Sequence, residues 1–89
     1  MIEKTLQIVN EKGLHARASA KLVEVVERFD AQAEVEKDGM SVAGDSIMGL
    51  LMLAASRGSM ITVRVTGAEA DALATALEEL VAARFGEEM

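Results

Sequence analysis

Ile2, Leu6 and Ile8 alternate with Glu3, Thr5 and Gln7 at the head of the chain, the two-residue period of a strand with one buried face. Asn10-Glu11-Lys12-Gly13 breaks the pattern as a loop. From Ala16 to Phe29 the period lengthens: Ala18, Leu22, Val25, Val26 and Phe29 share one helical face, and Arg17, Lys21, Glu24 and Arg28 line the opposite one. Glu24 and Arg28 stand at the favourable i, i+4 spacing. Ala31, Ala33 and Val35 then alternate with Gln32, Glu34 and Glu36 as a second strand. Asp38-Gly39 predicts a two-residue hairpin turn, which needs positive φ at both positions, with Met40 to Ala43 returning as a short strand. Ser46 stands as a helix N-cap before the apolar stretch Ile47 to Ala54.

Arg57-Gly58-Ser59 turns the chain into Ile61-Thr62-Val63-Arg64-Val65, a fourth strand. Thr66 and Glu69 have the spacing of a capping box for a last helix, in which Leu73, Leu77, Leu80 and Val81 face inward. Gly86 supplies a left-handed residue at its C-terminal end. The order is βαββαβα without internal repeats, and residues 1–89 read as one domain. Helices on one face of a mainly antiparallel sheet is the two-layer α+β packing this order predicts.

Composition narrows the picture. Hydrophobic residues make up 51% and aromatics 2%, so aliphatic side chains and alanine must fill the core. A chain without cysteine has no disulfide framework and no thiolate chemistry, which suits a reducing compartment, and a cytoplasmic location is expected. No signal peptide is visible, and the longest apolar run, Ile47 to Ala55, falls far short of the roughly 18 residues a membrane span needs. The net charge of −6 and the lack of aromatics for base stacking argue against a nucleic-acid partner, although RNA-binding domains can share a βαββαβ order. The charge is uneven. Residues 67–89 carry six acids against Arg84, giving −5, whereas residues 10–21 carry Lys12, Arg17 and Lys21 against Glu11, giving +2.

That basic stretch surrounds the single histidine. His15 sits in Gly13-Leu14-His15-Ala16-Arg17, where a loop meets the first turn of an amphipathic helix. Backbone N–H groups there, at Ala16 and Arg17, have no intrahelical acceptor and lie at the positive end of the macrodipole, which together suit a phosphate. Arg17 adds a guanidinium able to grip phosphate oxygens in pairs. A neutral imidazole nitrogen is a good nucleophile near pH 7. The site can therefore accept a phosphoryl group. Nothing in the chain takes one from ATP: there is no GxxxxGK[ST] loop and no kinase signature. One histidine without cysteine argues against a transition-metal site, and no cofactor is expected.

Gly13-Leu14-His15-Ala16-Arg17, followed by Ala18-Ser19-Ala20, resembles the phosphorylation-site motif of HPr, the histidine-containing phosphocarrier family of bacterial phosphotransferase systems. Gly44-Asp45-Ser46-Ile47-Met48-Gly49-Leu50 resembles the family's regulatory-serine motif. The resemblance spans essentially the whole chain. It implies an open-faced β-sandwich, a four-stranded antiparallel sheet with three helices on one side, and a carrier rather than an enzyme. It further implies phosphorylation of His15 at Nδ1 with help from Arg17, enzyme I as donor, a IIA protein or domain as acceptor, and regulation at Ser46 by a serine kinase/phosphorylase. Position 18 is alanine where the family typically has proline, and Asp45 replaces a residue that is basic in many relatives. Both departures incline the reading toward a regulatory, nitrogen-type relay over sugar uptake, and the two branches stay open.

Six large apolar residues, Ile47, Met48, Leu50, Leu51, Met52 and Leu53, are too many for one buried helix face. Ile47, Met48 and Leu51 are therefore expected to form a docking surface on a monomer, methionine suiting a surface that meets several partners. The family's use of this helix in docking agrees. The alternative is a regulatory module of HPr type that acts through protein contacts alone, against which the retained His15 speaks.

Overall fold

A computed structural model describes residues 1–89. The elements follow the predicted order: β1 (Ile2–Gln7), α1 (Ala16–Glu27), β2 (Gln32–Lys37), β3 (Met40–Ala43), α2 (Ile47–Met52), β4 (Met60–Thr66) and α3 (Ala70–Ala82). A short left-handed turn, Arg84–Gly86, follows α3.

The strands form one sheet in the order β1-β4-β2-β3, every neighbouring pair antiparallel. β1 and β2, both paired with β4, thus run parallel with β4 between them, and β3 and β4 likewise flank β2. The helical connections of these two interleaved units lie on the same face. Register explains why only one face is apolar. Leu6 opposes Ile61, and Val42, Val35 and Val63 form a continuous inward row. Glu3, Arg64 and Glu34 form an outward row that remains polar. Arg64 there donates to Glu3 at 2.7 Å and also to Glu36, and these hydrogen bonds, to Glu36 first and Glu3 second, raise its pKa above the ordinary arginine value.

The inward rows pack with Leu22, Val26, Leu50, Leu73, Leu77 and Phe85 in one contiguous core. Burying each such side chain contributes roughly 1.5–3 kcal/mol. Lys4 falls on the inward face but lies at the sheet edge, where its ammonium reaches Glu78 of α3 at 3.4 Å. No helix is long and apolar enough to cross a membrane.

The predicted hairpin turn is present, with φ of +51° at Asp38 and +84° at Gly39. Ser46 caps α2, its Oγ accepting the Gly49 N–H at 3.0 Å. The helix ends at Met52 rather than Ala54, because Ala54 turns left-handed at φ +50°.

The capping box of the last helix does not form. Glu69 occupies the N-cap of α3 without a side-chain cap, and its carboxylate instead accepts the Asp30 N–H at 2.7 Å. Tertiary pairing with the α1–β2 turn outcompetes the local bond, reinforced by a Glu69 N–H to Asp30 carbonyl bond at 2.9 Å. Gly86 is left-handed as expected, but the reversal begins earlier, at Arg84 and Phe85 with φ of +57° and +54°. That early turn drives Phe85 into the core with no exposed surface.

Candidate functional site

The His15 loop is built against the connection between α2 and β4. Gly13 adopts φ +66°, and a Cβ there would lie 2.5 Å from the Ala55 carbonyl oxygen, so only glycine permits this approach. Leu14 N–H donates to that same carbonyl at 2.8 Å, and the Leu14 side chain is buried. Buried Asn10 closes the loop, its Nδ2 donating to the Gly13 carbonyl at 2.8 Å. From the helix side, buried Ser19 donates its Oγ–H to the Leu14 carbonyl at 3.2 Å. His15 is held at its backbone from both directions while its side chain remains 28% exposed.

His15 is the N-cap residue of α1, with extended backbone (φ −77°, ψ −177°) and no side-chain cap bond. Its carbonyl accepts the Ser19 N–H at 2.8 Å, which starts the helix. The N–H groups of Ala16 and Arg17 make no hydrogen bond within the chain, as the first turn of a helix requires. Arg17 is exposed and takes part in no ion pair. Lys21, on the same predicted polar stripe, is instead half-buried and donates to the Phe85 carbonyl at 2.6 Å.

The structure adds two residues that sequence reasoning did not select, Asn10 and Glu87. The imidazole Nε2 of His15 contacts Glu87 Oε2, and Asn10 Nδ2 donates to Glu87 Oε1 at 3.0 Å. Hydrogen bonding from Asn10 first, together with His15 and nearby Lys12, holds the Glu87 carboxyl below the ordinary glutamate value. The ionised carboxylate only accepts hydrogen bonds, so in the neutral ring the proton sits on Nε2. Nδ1 then carries the free lone pair and has no hydrogen-bond partner in the chain. His15 borders a recess of about 170 Å³ walled also by Glu11, Lys12, Arg17 and residues 87–89. The acidic tail thus meets the basic loop; the opposed charges of residues 10–21 and 67–89 were the one signal of this meeting.

Of the apolar residues in α2, Ile47 is 40% and Met48 71% exposed, whereas Leu50 is buried and Leu51 half-buried. Met52, at 66%, is also exposed. Gly49 lets the helix approach β3 closely, because a Cβ there would lie 2.9 Å from Val42 Cβ. Ser46 is partly exposed beside Asp45, with its hydroxyl engaged as the α2 cap.

Comparison with known proteins gives the family. Residues 2–83 match the family model described as the PTS HPr component phosphorylation site. A phosphocarrier protein HPr of Xylella fastidiosa is 42% identical over 88 residues, which cover 99% of each chain. A phosphocarrier protein NPr of Shewanella violacea is 38% identical, covering 97% of this chain and 94% of its own. The crystal structure of an HPr from Thermoanaerobacter tengcongensis superposes with a TM-score of 0.95 at 38% identity, covering all of both chains. The loop that presents His15, the sheet beneath it and the full-length similarity place the chain in the HPr family, the histidine-containing phosphocarriers of the bacterial phosphotransferase system.

Proposed function

We propose that this chain takes a phosphoryl group onto His15 from a phosphoenolpyruvate-dependent enzyme I and passes it to a IIA protein or domain in the cytoplasm. The observation that carries the reading is the combination at the α1 N-terminus: an Nδ1 without a partner in the chain, next to two backbone N–H groups and an Arg17 that are all uncommitted. An arriving phosphoryl group meets donors already in place. The helix end contributes only about 0.3–1 kcal/mol at an exposed site. Weak holding suits a carrier, which must release what it accepts.

Ile47 and Met48, exposed on the helix that packs against α1, form the docking surface in this reading, with half-buried Leu51 one turn further along. A phosphate on Ser46 would put about −2 of charge beside that surface and so regulate docking. The exposed pair supports docking, and the position of Ser46 next to it supports regulation there.

The test is labelling with enzyme I and radioactive phosphoenolpyruvate. One acid-labile phosphate is expected, absent from His15→Ala. Acid-stable label, or label that persists in His15→Ala, refutes the carrier reading. A folded wild-type protein that takes no label from competent enzyme I leaves the binding-module reading instead.

A further inference from the structure

The carrier reading uses one edge of the imidazole and leaves the other unexplained. That other edge is occupied by a side chain 72 residues away in sequence. Glu87 is fixed there from several sides. Phe85 is buried two residues before it, and the Phe85 carbonyl accepts the Lys21 ammonium at 2.6 Å. Two residues after it, the Met89 carbonyl accepts the Glu11 N–H at 3.0 Å. Asn10, which holds one carboxylate oxygen, is itself fully buried and tied to Gly13 in the His15 loop. One buried amide therefore orients the histidine loop and the carboxylate together.

We propose that Glu87 is a positioning residue for phosphoryl transfer, its carboxylate accepting the Nε2–H of His15, holding Nδ1 as the bare nitrogen and balancing the charge that the ring acquires. This rests on the carrier reading, and the bookkeeping of the transfer step shows why an anion belongs there. The Nδ1 lone pair forms a bond to phosphorus of the histidine-phosphorylated donor protein. The bond from phosphorus to the donor's nitrogen breaks, and its electron pair leaves with the donor's ring. No proton leaves His15, so its ring becomes an N-phosphoimidazolium with the proton still on Nε2. A carboxylate hydrogen-bonded to Nε2–H stabilises that cation more than the neutral ring, so it lowers the barrier in the forward direction. Arg17 and the helix N–H groups act on the phosphoryl oxygens, and Glu87 acts on the opposite edge. A carboxylate that orients a histidine tautomer and offsets developing imidazolium charge is an arrangement known from hydrolytic triads.

The carboxylate is required in full, because two donors face its two oxygens. Glutamine offers a single oxygen, and its amide hydrogens would oppose either Asn10 Nδ2 or His15 Nε2–H. Glu87→Gln and Glu87→Ala are therefore the variants, compared with wild type by ¹⁵N NMR of the ring in the unphosphorylated full-length protein and by steady-state transfer from enzyme I. In wild type the spectrum should show one neutral tautomer, with a protonated Nε2 and a bare Nδ1. Both variants should shift the Nε2 resonance, and alanine should admit the second tautomer. The turnover rate should fall roughly tenfold, equivalent to about 1.4 kcal/mol of barrier, while KM for enzyme I stays unchanged. Thermal melts of both variants confirm that the fold persists. A wild-type ring protonated on Nδ1, or variants whose ring resonances and turnover match wild type, overturns the proposal. Failure of wild type to accept phosphate refutes the carrier reading on its own, and the tautomer spectra still decide whether Glu87 orients the ring.

Discussion

Gly13→Ala should destabilise the protein by about 2–5 kcal/mol, and the structure separates the two sources of that cost. A left-handed conformation burdens any residue with a Cβ by roughly 1–2 kcal/mol, and Gly13 has φ +66°. The added carbon would also lie 2.5 Å from the Ala55 carbonyl oxygen and 2.9 Å from Ser56 Cα, both backbone atoms that no rotamer change can move aside. Forced overpacking of this kind costs typically about 1–3 kcal/mol. Relief requires the loop to withdraw from Ala55, which stretches the 2.8 Å Leu14–Ala55 bond and displaces His15. Gly58→Ala is the control, because Gly58 has φ +90° but nothing within 4 Å of the added carbon, so it bears the conformational cost alone. For a domain of this size each kcal/mol moves Tm by roughly 4–8 °C. Calorimetry should therefore place Gly13→Ala below wild type by at least about 8 °C, and clearly below Gly58→Ala. Hydrogen exchange at Leu14 N–H should accelerate in Gly13→Ala and stay unchanged in Gly58→Ala. Equal melting temperatures for the two variants, with Leu14 still protected in both, would refute the close packing of the histidine loop on Ala55.

Arg17→Ala should slow phosphoryl transfer to His15 without moving Tm, since Arg17 is exposed and unpaired; a wild-type rate would show that the backbone donors suffice. Met48→Glu should weaken binding to enzyme I, measured by calorimetric titration, while stability holds, because a charge at a 71% exposed position stays wet until a partner covers it. Ser46→Ala should cost about 1 kcal/mol by losing the bond to Gly49 N–H, and Ser46→Asp should keep the cap yet lower donor affinity; equal affinity in both would leave Ser46 only a capping role. Acid stability should depend on Glu87. Its folded pKa lies below the 4.5 of an unconstrained glutamate, so the unfolded chain binds the proton more readily. Its contribution is present above that value and is lost as pH falls through the folded pKa. Denaturation midpoints measured from pH 6 downward should therefore drop less steeply below about pH 4.5 in Glu87→Gln than in wild type.

Much of this protein was legible in local pattern. The alternation of β1 and β4, the helical period of α1, the Asp38-Gly39 turn and the Ser46 cap depend on residues within a few positions of one another. So does the helix-end setting of His15, which follows from Gly13 before it and the amphipathic run after it. Propensity, hydrophobic period and capping all act over that range, so the sequence alone determined the elements, the inward faces and the likeness to a phosphocarrier.

Three features were decided only by the folded chain. Strand order β1-β4-β2-β3 sets the last strand between the first two, which depends on matching whole apolar faces across long loops. Glu69 left its own helix for the Asp30 backbone once packing brought the α1–β2 turn beside it. Glu87 reached His15 because Arg84 and Phe85 turn left-handed and bury the phenyl ring, aiming the tail back across the sheet's helical layer. The opposite charges of tail and loop were visible from the start, but a charge is not directional. Which carboxylate meets which nitrogen depends on positions held to within an ångström by the packing between them, and only the tertiary structure supplies those.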